Sequence, residues 1–484
     1  MARLLVCGYL LFWLTRASLT FNCSLGPIYV DMHKRAVHGT PVYQYGTFLG
    51  VGSPSQNQSL VPSLSHNEIS VASIDYCKHS RLPHCVNETH GNFNFSESGT
   101  WLGIDDYSAI DDTGDFFNES FAGQDELHIF THFLETNPPS EEILHNFTFE
   151  VATKGEPNPG IVGLGPKSTL LQQLYDNNRI AGRTYSIYTA SGSERAGGVV
   201  NGSLTLGGYD SNRFTGIPYS YRMDTFNASP LSVKVSDIVL EDPSNSHRNI
   251  SLFSASEFPE LKDDFQGFEA EITTDQYPLS LPYEITQNYI SALSAVPSDN
   301  PDGSLSLSKP YNGSMTIVLS NGFRATLPRE VMYNVSGLSP VADRNESSTT
   351  PNYLSLAWLS QVYLMLDYDS SVFYLAQVVP LVKYAVPKTF CPGTVPQHYI
   401  PPRKGFAARG LIGAVLGGFI GGIALLCLVW VLFTNWRKGR VGAMSERQRL
   451  MGLGCRGEWI EIPETNSNSP QSRKGKARSL DWPE

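Results

Sequence analysis

The chain has 484 residues, 41 % apolar and 17 % charged, which excludes wholesale disorder and allows a sizeable core. Its formal charge of −11 is unevenly spread: residues 437–484 carry +4 and residues 1–17 carry +2, leaving −17 on residues 18–409. An acidic body of this kind argues against nucleic-acid binding, which needs basic stripes to neutralise phosphates.

In chain order, residues 1–17 come first, with Arg3 ahead of an apolar run and the small residues Ala17 and Ser18 behind it. They read as a secretory signal peptide. Residues 18–385 form one body. Short β-rich runs there are broken by Gly, Asn, Pro and Ser, and helical spacing is confined to residues 169–175 and 282–293. The pattern predicts an all-β fold with a few short helices. Pro387, Pro392, Pro396, Pro401 and Pro402 make residues 386–409 a predicted stalk. Residues 410–433 are uncharged and mostly apolar. As a helix they would span about 36 Å against a hydrocarbon core of about 30 Å. Trp430 and Trp436 stand near one end, followed by Arg437, Lys438 and Arg440, which places the C-terminus inside. With the N-terminus outside, the expected topology is a type I membrane protein at the plasma membrane, reached through the secretory pathway. Residues 434–484 are polar and are expected to be a disordered cytosolic tail.

Twelve Asn-X-Ser/Thr sequons all fall between the two apolar segments. Their asparagines are Asn22, Asn57, Asn87, Asn94, Asn118, Asn146, Asn201, Asn227, Asn249, Asn312, Asn334 and Asn345. Confinement to one side predicts a heavily glycosylated lumenal surface. Of seven cysteines, Cys7 leaves with the signal, Cys427 lies in the span and Cys455 in the tail. The four that remain predict two disulfides, a local Cys77–Cys85 pair and Cys23–Cys391 tying the ends of the body together. No His/Cys cluster has zinc spacing, so neither a metal nor another cofactor is expected.

Several short segments in order carry a family resemblance. Tyr45-Gly46-Thr47-Phe48-Leu49-Gly50-Val51-Gly52-Ser53-Pro54 resembles the strand and turn before the first catalytic loop of the pepsin-like aspartic proteases (peptidase family A1). Cys77 and Cys85 match that family's small disulfide loop, and residues 91–101, GNFNFSESGTW, match the stretch after it. Residues 107–114 align with the flap that covers substrate, led by Tyr107. Gly160-Ile161-Val162-Gly163-Leu164-Gly165 resembles the apolar-apolar-Gly motif of the first lobe, and residues 204–213, LTLGGYDSNR, the entry to the second. Leu279 to Pro282 and residues 357–369 complete the series. The resemblance implies two β lobes, divided near residues 210–220, with a cleft between them. It is nearest to membrane-anchored, glycosylated members of fungal type.

The family's chemistry needs two aspartates sharing a proton, one from each lobe's Asp-Thr/Ser-Gly loop. Counted from Gln56, the first loop falls on Ser63-Leu64-Ser65; counted back from Pro282, the second falls on Thr273-Thr274-Asp275. Hydroxyl residues, Ser63 and Thr273, hold both aspartate positions, and a hydroxyl cannot serve as the base in acid. Asp275 is the one acid in either loop, two positions late, and is a weak catalytic candidate. Ser63 with His66 offers a nucleophile and base without a third partner. Asp105, Asp106, Asp111, Asp112 and Asp115 form an acidic run that reads first as a solvated hairpin and second as a cation site. The expected function is a catalytically inactive surface binding or scaffold protein whose cleft takes an extended peptide or another surface ligand. The alternative is an active acid endopeptidase with a non-standard catalytic pair.

Overall fold

The computed structural model describes residues 21–82, 84–105, 107, 119–131, 140–155, 158–190, 200–224, 230–242, 248–261, 265–333, 337–401 and 411–450. It divides into two compact units, one ending at Ile400 and one beginning at Pro401.

The first unit is built mainly of strands. In Ser140–Lys154, Phe147, Phe149 and Val151 alternate onto one face and are fully buried, as are Leu127 and Ile129 of the neighbouring strand. Six strands around this core close on themselves. Tyr43–Val51 pairs with Gln56–Ser63, which pairs in parallel with Ile161–Gly163. The ring continues through Ser70–Ser73, Ser140–Lys154 and Glu119–Thr131, and the last returns to Tyr43–Val51 through Leu49 and Ile129. Closure leaves this ring no free edge. The GNFNFSESGTW stretch packs Trp101 between Phe93, Phe95, Phe121 and Phe149. Gly123 is required beneath it, since a Cβ there would come 2.1 Å from the indole.

Strand Ile28–Ala36 joins this ring to a further set: Gly202–Leu206, Thr184–Tyr188, Val362–Asp367, Val372–Val378 and Phe214–Arg222. A separate six-stranded sheet takes Ser232–Asp242, Arg248–Ser251, Phe268–Ile272, Ser314–Leu319, Arg324–Leu327 and Tyr353–Leu354. One unit recurs in both halves. Gln56–Ser63 ends in a loop, pairs in parallel with Ile161–Gly163, and helix Thr169–Asp176 follows. Phe268–Ile272 likewise ends in a loop, pairs in parallel with Tyr353–Leu354, and helix Leu356–Leu359 follows. The expected helices form at Thr169–Asp176, capped by Ser168, and at Tyr283–Leu293 after Pro282. Both predicted disulfides are present.

Two segments differ from the sequence reading. Residues 386–400, placed in the stalk for their prolines, are tied to the body. Pro387–Thr389 pairs with Gly208–Asp210, Phe390 is fully buried, and Cys391 is bonded to Cys23. Buried Asp210 accepts the Val386 amide at 2.8 Å, so the prolines here shape a strap rather than a free linker. In the second unit, helix Leu411–Leu450 runs well past residue 433, where the disordered tail was expected to begin. Strong helix formers from Ala443 to Leu450 carry it on after the apolar stretch ends. Its segment Gly413–Lys438 holds an 18-residue window of mean hydropathy 2.5 in which no residue is buried, enough length and apolarity to cross a membrane.

Candidate functional site

The two sequence-derived loops meet. The backbone amide of Leu64 donates to Thr274 Oγ1 at 3.1 Å, and both residues are buried. Each loop rests on the short parallel strand beside it. In the first half Leu164 N–H donates to Ser63 O at 2.8 Å and Gly165 N–H to His66 O at 2.7 Å. A Cβ on Gly163 would stand 2.4 Å from the backbone nitrogen of Glu68, so the apolar-apolar-Gly run is a close-approach requirement. In the second half Thr273 N–H donates to Leu354 O at 3.1 Å and Ala357 N–H to Tyr277 O at 3.1 Å. Ser355, where the first half has its glycine, is buried and donates its hydroxyl to Tyr277 O at 2.5 Å.

Asp275 stands where the loops meet. Its Oδ1 accepts the Ser63 hydroxyl at 2.6 Å, and its Oδ2 accepts Ser65 at 2.6 Å and Thr273 at 3.1 Å. Its own amide donates back to Thr273 Oγ1 at 3.1 Å. Three hydroxyls from both loops therefore converge on one carboxylate. His66 approaches from the first loop, with Nδ1 2.8 Å from Ser63 Oγ and its amide donating to the same oxygen at 3.1 Å. A serine hydroxyl has one proton. With that proton directed to Asp275, His66 Nδ1 is the donor to Ser63. Serine then lies between histidine and aspartate, whereas a nucleophilic triad needs histidine between serine and aspartate.

Two cavities open beside this cluster, and Asp275 borders both. The larger, about 630 Å³, is lined by Met32, Tyr43, Tyr45, His90, Gln276 and Tyr277 among others. The smaller, about 190 Å³, is lined by Leu64, Ser65, Pro230, Leu231, Thr273 and Tyr353. Tyr45 donates to Thr189 O at 3.1 Å and accepts the Gly202 amide at 3.0 Å. Burial raises its phenol well above the ordinary value. Burial lowers His90 to about 4. The residue is partly exposed at the cavity wall, yet its Nδ1 is closed to water and unbonded among the described residues. Backbone hydrogen bonds with Ser59 and Tyr45 act in the opposite sense to burial. Glu88, also at the wall, is raised by burial, with His84 acting in the opposite sense. The exposed sequon asparagine Asn87 stands at the same rim.

The remaining sequence candidates fall as follows. Tyr107 donates its hydroxyl to the buried carboxylate of Glu68. Residue 106 and residues 108–118, with Asp106, Asp111, Asp112 and Asp115, lie outside the described residues. Among the described residues no group of His, Cys, Asp and Glu is arranged to hold a metal ion. Of the sequon asparagines, Asn22, Asn57, Asn87, Asn146, Asn201, Asn249, Asn312 and Asn345 are exposed and Asn94 is half-buried. Asn118, Asn227 and Asn334 lie outside the described residues. Loop counting found Ser63, Thr273 and Asp275; it missed Ser65 as a carboxylate partner and His90 at the cavity wall. The serine at position 65, in place of a loop glycine, was the available signal for the first. No protein-family model matches the chain, and no curated protein matches it.

Proposed function

We propose that this chain is a type I membrane glycoprotein whose extracellular body has the two-lobed architecture of the pepsin-like aspartic proteases and binds in its groove without cutting. Support for the architecture comes from the repeated strand, loop, parallel strand and helix unit, and from the Leu64–Thr274 bond joining the loops. The exposed sequon asparagines support glycosylation, and the span Gly413–Lys438 supports the anchor.

The observation that carries the loss of hydrolysis is the state of Asp275. Acid hydrolysis in this family uses two carboxyl groups, one charged to take a proton from water and one neutral to give a proton to the peptide. Here the partner nearest Asp275 is a serine hydroxyl at 2.6 Å. A hydroxyl that donates to a carboxylate neither shares its charge nor takes a proton from water near pH 4. The adjoining cavity of about 630 Å³ remains large enough for several side chains of an extended peptide.

The test uses the full-length chain in detergent, a fluorescent pepstatin and a library of extended apolar peptides. Saturable binding without casein cleavage between about pH 3 and 5 is the expected result. Cleavage that disappears in Asp275→Asn would refute the reading and restore the endopeptidase alternative.

A further inference from the structure

The C-terminal strap has a composition unlike the rest of the body. Residues 370–409 contain no Asp or Glu and five Lys/Arg, whereas residues 18–369 carry −22. The strap winds around one edge of the sheet. Val379 N–H donates to Arg213 O at 2.7 Å, Asn212 Nδ2 to Tyr384 O at 3.0 Å, and Tyr399 N–H to Ser211 O at 2.6 Å. His398 Nδ1 lies 3.1 Å from Gly216 O, and the Tyr384 and Tyr399 rings are 6.5 Å apart. These contacts gather Ile217, Leu381, Tyr384, Val395 and Ile400 on neighbouring segments, all exposed. Among the described residues of the first unit, the three most exposed large apolar ones belong to this group: Ile217 at 84 %, Leu381 at 81 % and Ile400 at 72 %. Ile217 sits in an irregularity between Thr215 and Tyr219, where strand Phe214–Arg222 leaves its ladder with Val372–Val378. Gly216, at φ +76°, makes that bend.

We propose that this face rests on the lipid surface of the membrane in which the chain is anchored. Large apolar residues flanked by tyrosines and by Lys383 and Lys388 suit the headgroup boundary, where amphipathic rings and snorkelling cations settle. An acid-free strap on a body of charge −22 avoids repulsion from anionic headgroups. Chain length adds a second argument. Residues 401–410 separate Ile400 from the helix start at Leu411. Eleven Cα steps span at most about 40 Å, so a helix seated in the bilayer would tether the end of the strap within that distance of its first residue. The inference rests on the membrane-anchor reading and is independent of whether the groove binds or cuts.

The experiment places one full-length chain per phosphatidylcholine nanodisc, with and without nitroxide-headgroup lipid. Cys427→Ser and Cys455→Ser remove the stray thiols, and a fluorophore is attached at Ile217→Cys, Leu381→Cys or Leu102→Cys. Leu102 is 62 % exposed and lies on the strand at the opposite end of the sheet order. Emission at positions 217 and 381 is expected to fall to about half or less with nitroxide lipid, with little change at 102. Equal quenching at all three positions, or none, overturns the proposal. Releasing the body by a protease site placed in residues 401–410 should speed amide exchange at Gly216 and Ile217 about tenfold. Protection that survives release and disappears on dilution would assign the face to a second copy and also overturn it. A chain that fails to enter discs refutes the anchor reading, whereas entry without quenching refutes the lipid-docking face alone.

Discussion

Replacing Thr274 by valine tests whether the two loops are joined as described. Valine keeps the shape of threonine but removes the oxygen that accepts the Leu64 amide at 3.1 Å. Leu64 and Thr274 are 2 % and 1 % exposed, so water cannot replace the lost partner. A buried amide left without an acceptor costs about 1–3 kcal/mol. Thr274→Ser keeps the oxygen and loses one methyl, which should cost about 1 kcal/mol or less. The assay is urea unfolding followed by tryptophan fluorescence, with peptide affinity measured on the same preparations. Thr274→Val should also weaken groove binding, because Thr274 itself lines the larger cavity and leads into the wall residues Gln276 and Tyr277. A Thr274→Val protein as stable as the parent, or a serine variant as damaged as the valine one, would refute the joined-loop reasoning.

Asp275→Asn removes one of two acceptors facing Ser63 and Ser65, and unfolding should show a loss of about 1–3 kcal/mol with hydrolysis unchanged at background. His90 titrates near 6.5 when unfolded and near 4 when folded, so the unfolded chain binds the extra proton between those values. Its stability contribution is therefore whole above pH 6.5 and falls by about 3 kcal/mol as pH drops to 4, a slope that denaturation of His90→Gln should lack. Asn87→Gln, which removes the sequon at the cavity rim, should raise the affinity of glycosylated protein for bulky peptides, read by fluorescence titration. Cys23→Ser with Cys391→Ser opens a link between residues 368 apart and should lower stability by about 2–5 kcal/mol in thermal or urea unfolding.

Much of the body was legible because its signals are local. Phe147, Phe149 and Val151 announce a half-buried strand by alternation, and Gly163 announces a place where two backbones nearly touch. Cys77 and Cys85 are close enough in sequence to name each other. The strap was not legible, because proline content describes what a segment cannot do and says nothing of what it lies against. Pairing of Pro387–Thr389 with Gly208–Asp210 joins residues far apart in sequence, and no spacing rule reports it. The helix beyond residue 433 was misread for a related reason. A change from apolar to polar residues marks the end of a span, whereas Ala443 to Leu450 still favours the helix itself.

At the loop junction, residue identity was readable and mutual satisfaction was not. Sequence places Ser63, Ser65, Thr273 and Asp275 on two loops, but only the fold directs three hydroxyls at one carboxylate. That convergence ties the two loops together around a single carboxylate. A pair of carboxyls at close range repel unless a proton is trapped between them, and the site must keep that arrangement under strain. The present set has one carboxylate, donors for both of its oxygens, and a hydrogen bond from the Leu64 amide to Thr274 Oγ1 holding the loops together. Both oxygens of Asp275 already accept hydroxyls of this chain. Any ligand must then be held by the walls of the groove, by Tyr43, Gln276 and Tyr277 rather than by the junction. Wall substitutions should accordingly change affinity more than Asp275→Asn does, the reverse of the order expected where the central carboxylates grip the ligand.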